Sequence, residues 1–289
     1  MKLPAVRYDR QGSRRRKAGD PRAAILLFQK AIRHAPQWSV PWYNLGLTHK
    51  YSANWPESFR CNAEAVRLNP EDEAAIWNMG IAATALEDWS EARRAWGLFG
   101  IQIPEGTGPI EMDLGKVPIR INPDTDGEVV WAHRIDPARA VLTSIPLPES
   151  NHRHGDLVLH DGAPMGYRLR GDQDVPVFNE LGLLAPSTSG TFETIITART
   201  VDDLAAFEQA CQKEGCPVED WSTIRILCRE CSEGRPHQHP EPAVEGEHRF
   251  AIAAPDRKPV ERAVSAWTAA DRRRLASGIK ASLEPRGVH

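Results

Sequence analysis

The chain reads as an all-α helical repeat array followed by an α+β region with mainly antiparallel strands and a C-terminal helix. Three observations predict this. One 34-residue pattern occurs three times, without a gap, between residues 5 and 106. A breaker cluster, Pro104-Glu105-Gly106-Thr107-Gly108-Pro109, then ends it. Beyond the cluster the apolar spacing turns from helical to alternating, starting with Val117-Pro118-Ile119-Arg120-Ile121.

The copies open at Ala5, Ser39 and Glu73. Their fourth positions are Tyr8, Trp42 and Ile76, and their eighth are Gly12, Gly46 and Gly80. Ala24, Ser58 and Ala92 share the twentieth position. Phe28, Asn62 and Trp96 share the twenty-fourth, where the middle copy departs. Each copy holds two amphipathic helical stretches joined by a turn. In the first copy Asp20 is a good N-cap, and Pro21 fits the first helical turn. Pro36, Pro70 and Pro104 are expected to close the second helix of each copy, because proline cannot continue one. Small residues at positions eight and twenty let the two helices approach closely. Trp55 and Trp89, which open second helices, read as packing residues. One helix pair cannot bury its apolar face, whereas stacked pairs share a core.

The stretch Trp42-Tyr43-Asn44-Leu45-Gly46, with Ala65 and Asn69-Pro70, closely resembles the tetratricopeptide repeat (TPR). The resemblance covers residues 5–106 only. It implies three repeats and six helices in a curved stack, with the first helices lining a concave face that commonly binds an extended or helical peptide. Carried onto this chain, that face includes Asp9 and Arg10 in the first copy and Tyr43, Asn44, Leu47 and Lys50 in the second. Trp77, Asn78 and Ile81 complete it in the third. It should be basic at one end and apolar at the other, and so suit a protein or peptide partner with an acidic or apolar segment. Some TPR proteins clamp chaperone C-termini through lysine and asparagine. Asp9 and Ser13 stand at those positions here, which argues against that ligand.

The 289 residues suffice for two domains, and a 41% hydrophobic, 26% charged composition suits a soluble globular protein. Net charge is −3, so the whole molecule has no bias toward polyanions. Residues 1–106 carry 15 Lys and Arg against 11 Asp and Glu, and the remainder is acidic. Arg14-Arg15-Arg16-Lys17 would point all round a helix instead of forming one stripe, so no nucleic-acid partner is expected. No apolar run nears the roughly 18 residues of a membrane span, and no secretory signal is visible. Five cysteines, an odd number, argue against a disulfide framework. The expected location is cytoplasmic.

The second domain is expected over 110–255, strand-rich at 116–170, where an antiparallel sheet or small barrel would form. Strands are expected at Val117–Ile121, Glu128–Arg134, Ala140–Ile145, Asp156–Leu159 and near Tyr167–Leu169. A strand–helix–strand unit over 191–228 follows, with Thr191–Ala198, Val201–Glu214 and Ser222–Cys228. Arg249–Ala253 could add a strand. The last stretch, 257–283, is helical by period through Val260, Ala263, Val264, Trp267, Leu275 and Ile279. It could pack on the sheet, cap the repeats or lie in their groove.

The sharpest chemical feature is Cys228-x-x-Cys231, followed by His237 and His239. Two thiolates at that spacing can share one metal, and these four ligand types suit a tetrahedral zinc. The five-residue gap between thiols and imidazoles is short, so Cys211 with Cys216, or His248, are alternative ligands. Reduced thiols and exposed histidines in a loop are the simplest alternative to a metal. His152, His154, Asp156, His160 and Asp161 cluster in sequence, and turn aspartates with surface histidines account for them.

These readings converge on a protein–protein interaction module: an adaptor, a regulator or an antidote-type binding protein. Zinc would stiffen its second domain. The alternative is a metal-dependent enzyme with its site in 110–250 and the repeats as substrate recruiter.

Overall fold

The computed structural model describes residues 3–125, 127–170, 173–222 and 244–287. They form two compact units, Met1–Leu114 with Ile135–Ala138, and Gly115–Arg134 with Arg139–His289.

The first unit holds six helices: α1 (Leu3–Lys17), α2 (Pro21–His34), α3 (Ser39–Lys50), α4 (Trp55–Leu68), α5 (Glu73–Ala85) and α6 (Trp89–Leu98). Short polar side chains start α2, α5 and α6. Asp20 accepts the Ala23 N–H at 3.0 Å, Asp72 the Ala75 N–H at 3.0 Å and Asp88 the Glu91 N–H at 3.1 Å. Helices α2 and α4 stop just before Pro36 and Pro70, as expected. Helix α6 instead ends at Leu98, where Gly100 turns the chain at φ 91°, well short of Pro104.

The period-34 glycines sit where the two helices of a pair touch. A Cβ on Gly12 would lie 2.7 Å from the Phe28 ring, on Gly46 2.6 Å from Asn62 Nδ2, and on Gly80 2.6 Å from the Trp96 ring. Gly46→Leu should therefore cost about 1–3 kcal/mol through overpacking. An unaltered thermal melt would count against this packing. Phe28, Asn62 and Trp96 are fully buried. Asn62 fills an aromatic position with an amide that donates to the Ser58 carbonyl at 2.8 Å but leaves its own oxygen unpaired.

In the second unit, β1 (Lys116–Ile121), β2 (Glu128–Arg134), β3 (Arg139–Leu142), β4 (Leu157–Arg170) and β5 (Gln173–Ala185) close a barrel. Neighbours are antiparallel except β1 and β5, which pair in parallel through Ile119 and Phe178. Val117, Ile119, Ile121, Val130, Leu142 and Val158 fill the barrel. A sheet follows, with β6 (Gly190–Ala198), β7 (Val218–Asp220), β8 (Gly246–Ala254), β9 (Leu275–Ala276) and β10 (Lys280–Leu283). Its order is β10-β6-β8-β7, with β9 also on β6. Helices α7 (Val201–Lys213) and α8 (Arg257–Ala270) cover it through Phe207, Val260, Ala263 and Trp267.

Three expectations change, and a fourth lies almost wholly outside the described residues. The Tyr167–Leu169 segment is the far end of a 14-residue β4, and its partner β5 carried too weak an alternation to be read. The strand expected at Ser222–Cys228 lies almost wholly outside the described residues, and β7 precedes it. The last helix ends at Ala270, not at Leu283. Asp271 there leaves helical backbone at φ −150°, ψ 123°, and Leu275 to Leu283 instead add edge strands to β6. The stretch 257–283 is consequently part of the sheet unit and not a separate element. Of the three placements considered for it, the structure selects packing on the sheet.

Candidate functional site

The first helices of the array are cross-linked by side chains at the expected groove positions. Asn44 donates to Asp9 Oδ1 at 2.9 Å, and Lys50 Nζ donates to Asn78 Oδ1 at 2.9 Å. The two bonds run from α3 to α1 and to α5, so one ladder joins all three copies. Burial raises the Asp9 carboxyl above its ordinary value, against the Asn44 bond and the Arg16 charge. Lys50 is only 3% exposed, with its ammonium 4.6 Å from the Tyr51 ring centre.

The remaining positions divide by exposure. Arg10 is exposed, and Asp9, Tyr43, Leu47 and Trp77 are half-buried. Asn44, Asn78 and Ile81 are buried. Tyr43 packs with the cluster of Val66, Ile76 and Met79. Trp77 stands edge-on to Trp96 at 5.0 Å and to Phe99 at 4.7 Å, and its indole N–H has no acceptor among the described residues. Trp77, an expected groove position, is thus also a packing residue.

Three helix pairs at one spacing, each closed by a glycine against the same partner position, decide the architecture. The array has the tetratricopeptide-repeat fold. No protein-family model and no curated protein matches the chain. Solved structures similar to its repeats include the second TPR of Spaghetti (RPAP3) bound to an HSP90 peptide. That match has 18% identity, a TM-score of 0.33, and spans 34% of this chain and 90% of that one. The TPR2B domain of yeast Sti1 in a pHsp70 complex has 16% identity and a TM-score of 0.33, spanning 34% and 78%. A CopN–Scc3 complex has 18% identity and a TM-score of 0.32, spanning 33% and 56%. All three matches stop with about the first third of the chain.

Cys228, Cys231, His237 and His239 lie outside the described residues. Two alternative ligand sets lie within them. Cys211 and Cys216 are buried in the sheet core, and burial pushes the Cys211 thiol up to about 12. Both ring nitrogens of His248 are engaged, with Asp220 at 2.6 Å and the Val244 carbonyl at 3.0 Å. Among the described residues no group of three or more His, Cys, Asp or Glu side chains is placed to hold a metal.

The His152–Asp161 cluster is not a set of surface residues. His152, Asp156, His160 and Asp161 are all buried. His152 lies 3.3 Å from Asp156 and 3.2 Å from Glu180. Asp156 also accepts the N–H groups of Arg153 and Ser187 and pairs with Arg286 at 3.1 Å. Burial alone would lower the His152 pKa, but the two carboxylates outweigh it and hold the group at about 9. Burial, with the Arg134 charge, drives His160 the other way, to about 4, and its neutral ring bonds the Asp161 carbonyl at 2.8 Å. The legible signal was the inward face of β4: Val158 and His160 alternate into the barrel.

A cavity of about 450 Å³ in the second unit is lined by Glu128, Trp131, Arg168, Glu208, Glu219 and Asp220, among others. Burial, and the charge of Glu219, push Glu128 up to about 7 despite its bond from the Leu147 N–H. No contiguous motif marks this lining, because its residues come from β2, β4, α7 and β7.

Proposed function

We propose that the chain is a protein–protein interaction module whose repeats bind an acidic peptide segment with an apolar anchor. The ladder Asp9–Asn44 and Lys50–Asn78 carries this reading. It brings polar and cationic groups into line along the first helices, beside the half-buried Leu47 and Trp77. The solved repeats that resemble these in fold include peptide complexes, but the two-carboxylate clamp positions here hold Asp9 and Ser13. Asp9 is already bonded to Asn44, so a different acidic peptide is expected. An adaptor, regulator or antidote role would follow from such binding.

Affinity capture of the full chain, with mass-spectrometric identification, supplies the partner. In a titration with that partner, Trp77→Ala should lose about 2 kcal/mol or more, since central aromatics bury large area with few rotamers. Because Trp77 also packs on Trp96 and Phe99, a melt must show the variant folded. Unchanged affinity in a folded variant would move the interface off this face.

A second reading, an enzyme, has one observation behind it. Glu128 lines a cavity and titrates near neutrality, as a general acid or base does. The zinc reading rests on sequence alone. Protein purified without a histidine tag should contain about one zinc per chain, lost in Cys228→Ser. A metal-free wild type would leave Cys228 and Cys231 as reduced thiols.

A further inference from the structure

We propose that the repeat groove already has an occupant, the chain's own Ile135-Asp136-Pro137-Ala138 segment, which an outside partner must displace. This inference rests on reading the concave face as a peptide site and adds its regulation.

The segment links β2 to β3 in sequence, yet it groups with the unit that holds the helices and not with those strands. Its backbone is tied to that unit through the stretch after α6, where the Met112 N–H donates to the Ile135 carbonyl at 2.7 Å. Asp136 and Ala138 have no solvent exposure. The same holds, nearly, for two of the third copy's three groove positions. Ile81 is 0% and Asn78 5% exposed. An open peptide groove keeps such positions wet.

Charge selects this segment. A lysine ammonium buried to the extent of Lys50 requires an opposite charge close by, and a buried carboxylate requires the same. Asp136 is the fully buried carboxylate of the unit that contains Lys50. Sequence also fits. The groove calls for an acidic residue beside an aliphatic anchor, and Ile135-Asp136 supplies both. Pro137 pushes Asp136 toward extended backbone, the form of a peptide held along a groove. Asp136 Oδ1 accepts the Ala138 N–H at 2.7 Å, which sets the turn that follows.

A tethered segment competes at an effective concentration far above that of a free one, so the wild-type groove should reject outside peptides. The probe is a fluorescein-labelled peptide with the sequence of residues 132–141, titrated into the full chain. Asp136→Asn keeps the acceptor for Ala138 but removes the charge. It should bind the probe about tenfold more tightly than wild type. Adding Lys50→Glu should abolish that gain. Amide exchange in α3 and α5 should also quicken in Asp136→Asn. Equal probe binding by wild type and Asp136→Asn, with unaltered exchange in α3 and α5, would overturn the proposal. The two readings fail separately. Faster exchange with unchanged affinity for the captured partner retains the self-occupied groove and rejects the groove as the partner's site. Weakened partner binding by Trp77→Ala, with exchange unaltered in Asp136→Asn, does the reverse.

Discussion

His152→Ala should lower the stability of the barrel and sheet by about 3–5 kcal/mol, because it leaves two buried carboxylates without their shared cation. Asp156 has no solvent exposure and Glu180 only 8%, so neither recovers water when the imidazole is removed. His152→Gln, which can still donate one hydrogen bond, should cost less. Urea unfolding at neutral pH measures both. The pH profile gives a sharper check. The folded His152 pKa, about 9, lies above the ordinary 6.5. A raised pKa in a cationic acid stabilises fully below pH 6.5, and that contribution disappears as pH rises through about 9. Asp156 is opposite in sign. Its carboxyl is held below the ordinary 3.8, its burial outweighed by His152 and two backbone N–H bonds, so its contribution is lost as pH falls. The stability gap between wild type and His152→Ala should therefore narrow between about pH 6.5 and about pH 10. A gap constant across that range would reject the ion-pair account.

Trp96→Ala should cost the repeats about 3–5 kcal/mol. The ring is fully buried, lies over Gly80 and meets Trp77 edge-on, so truncation leaves a cavity beside both. The equivalent Asn62→Ala should cost much less. That amide holds an unpaired oxygen in the same kind of site, and removing it relieves a buried polar atom. Far-UV circular dichroism melts compare the two. Equal losses would mean that the twenty-fourth position does not set the stability of each pair.

The helices were legible because one local rule recurs. Gly12, Gly46 and Gly80 mark a contact set within each 34-residue copy, and spacing alone exposes it. Strands β1, β2 and β6 were legible for a similar reason, since alternation is local. What failed depended on partners far away in the chain. Strand β5 is wrapped onto β4 and β1, and its bulged pairing blurs the period. Residues 275–283 have helical spacing, yet edge pairing with β6 decides their conformation. His152 resembled a loop histidine because Glu180, which helps bury its charge, stands 28 residues on, and Arg286 lies 130 residues beyond Asp156. The positions carried over by resemblance lie on α1, α3 and α5, the first helix of each pair. Their burial was not legible, since it depends on what covers them.

The way β6 is paired sets an order of events during synthesis. Its outer edge is completed only by β9 and β10, and Thr194 reaches Ser277 across 83 residues of chain. Strand β6 must wait, one edge bare, until residue 283 has left the ribosome. The repeats need no such delay, because every contact within a copy closes a short loop. A folded N-terminal array would then accompany an unfinished sheet through the later part of translation, when an open strand edge is most exposed to aggregation.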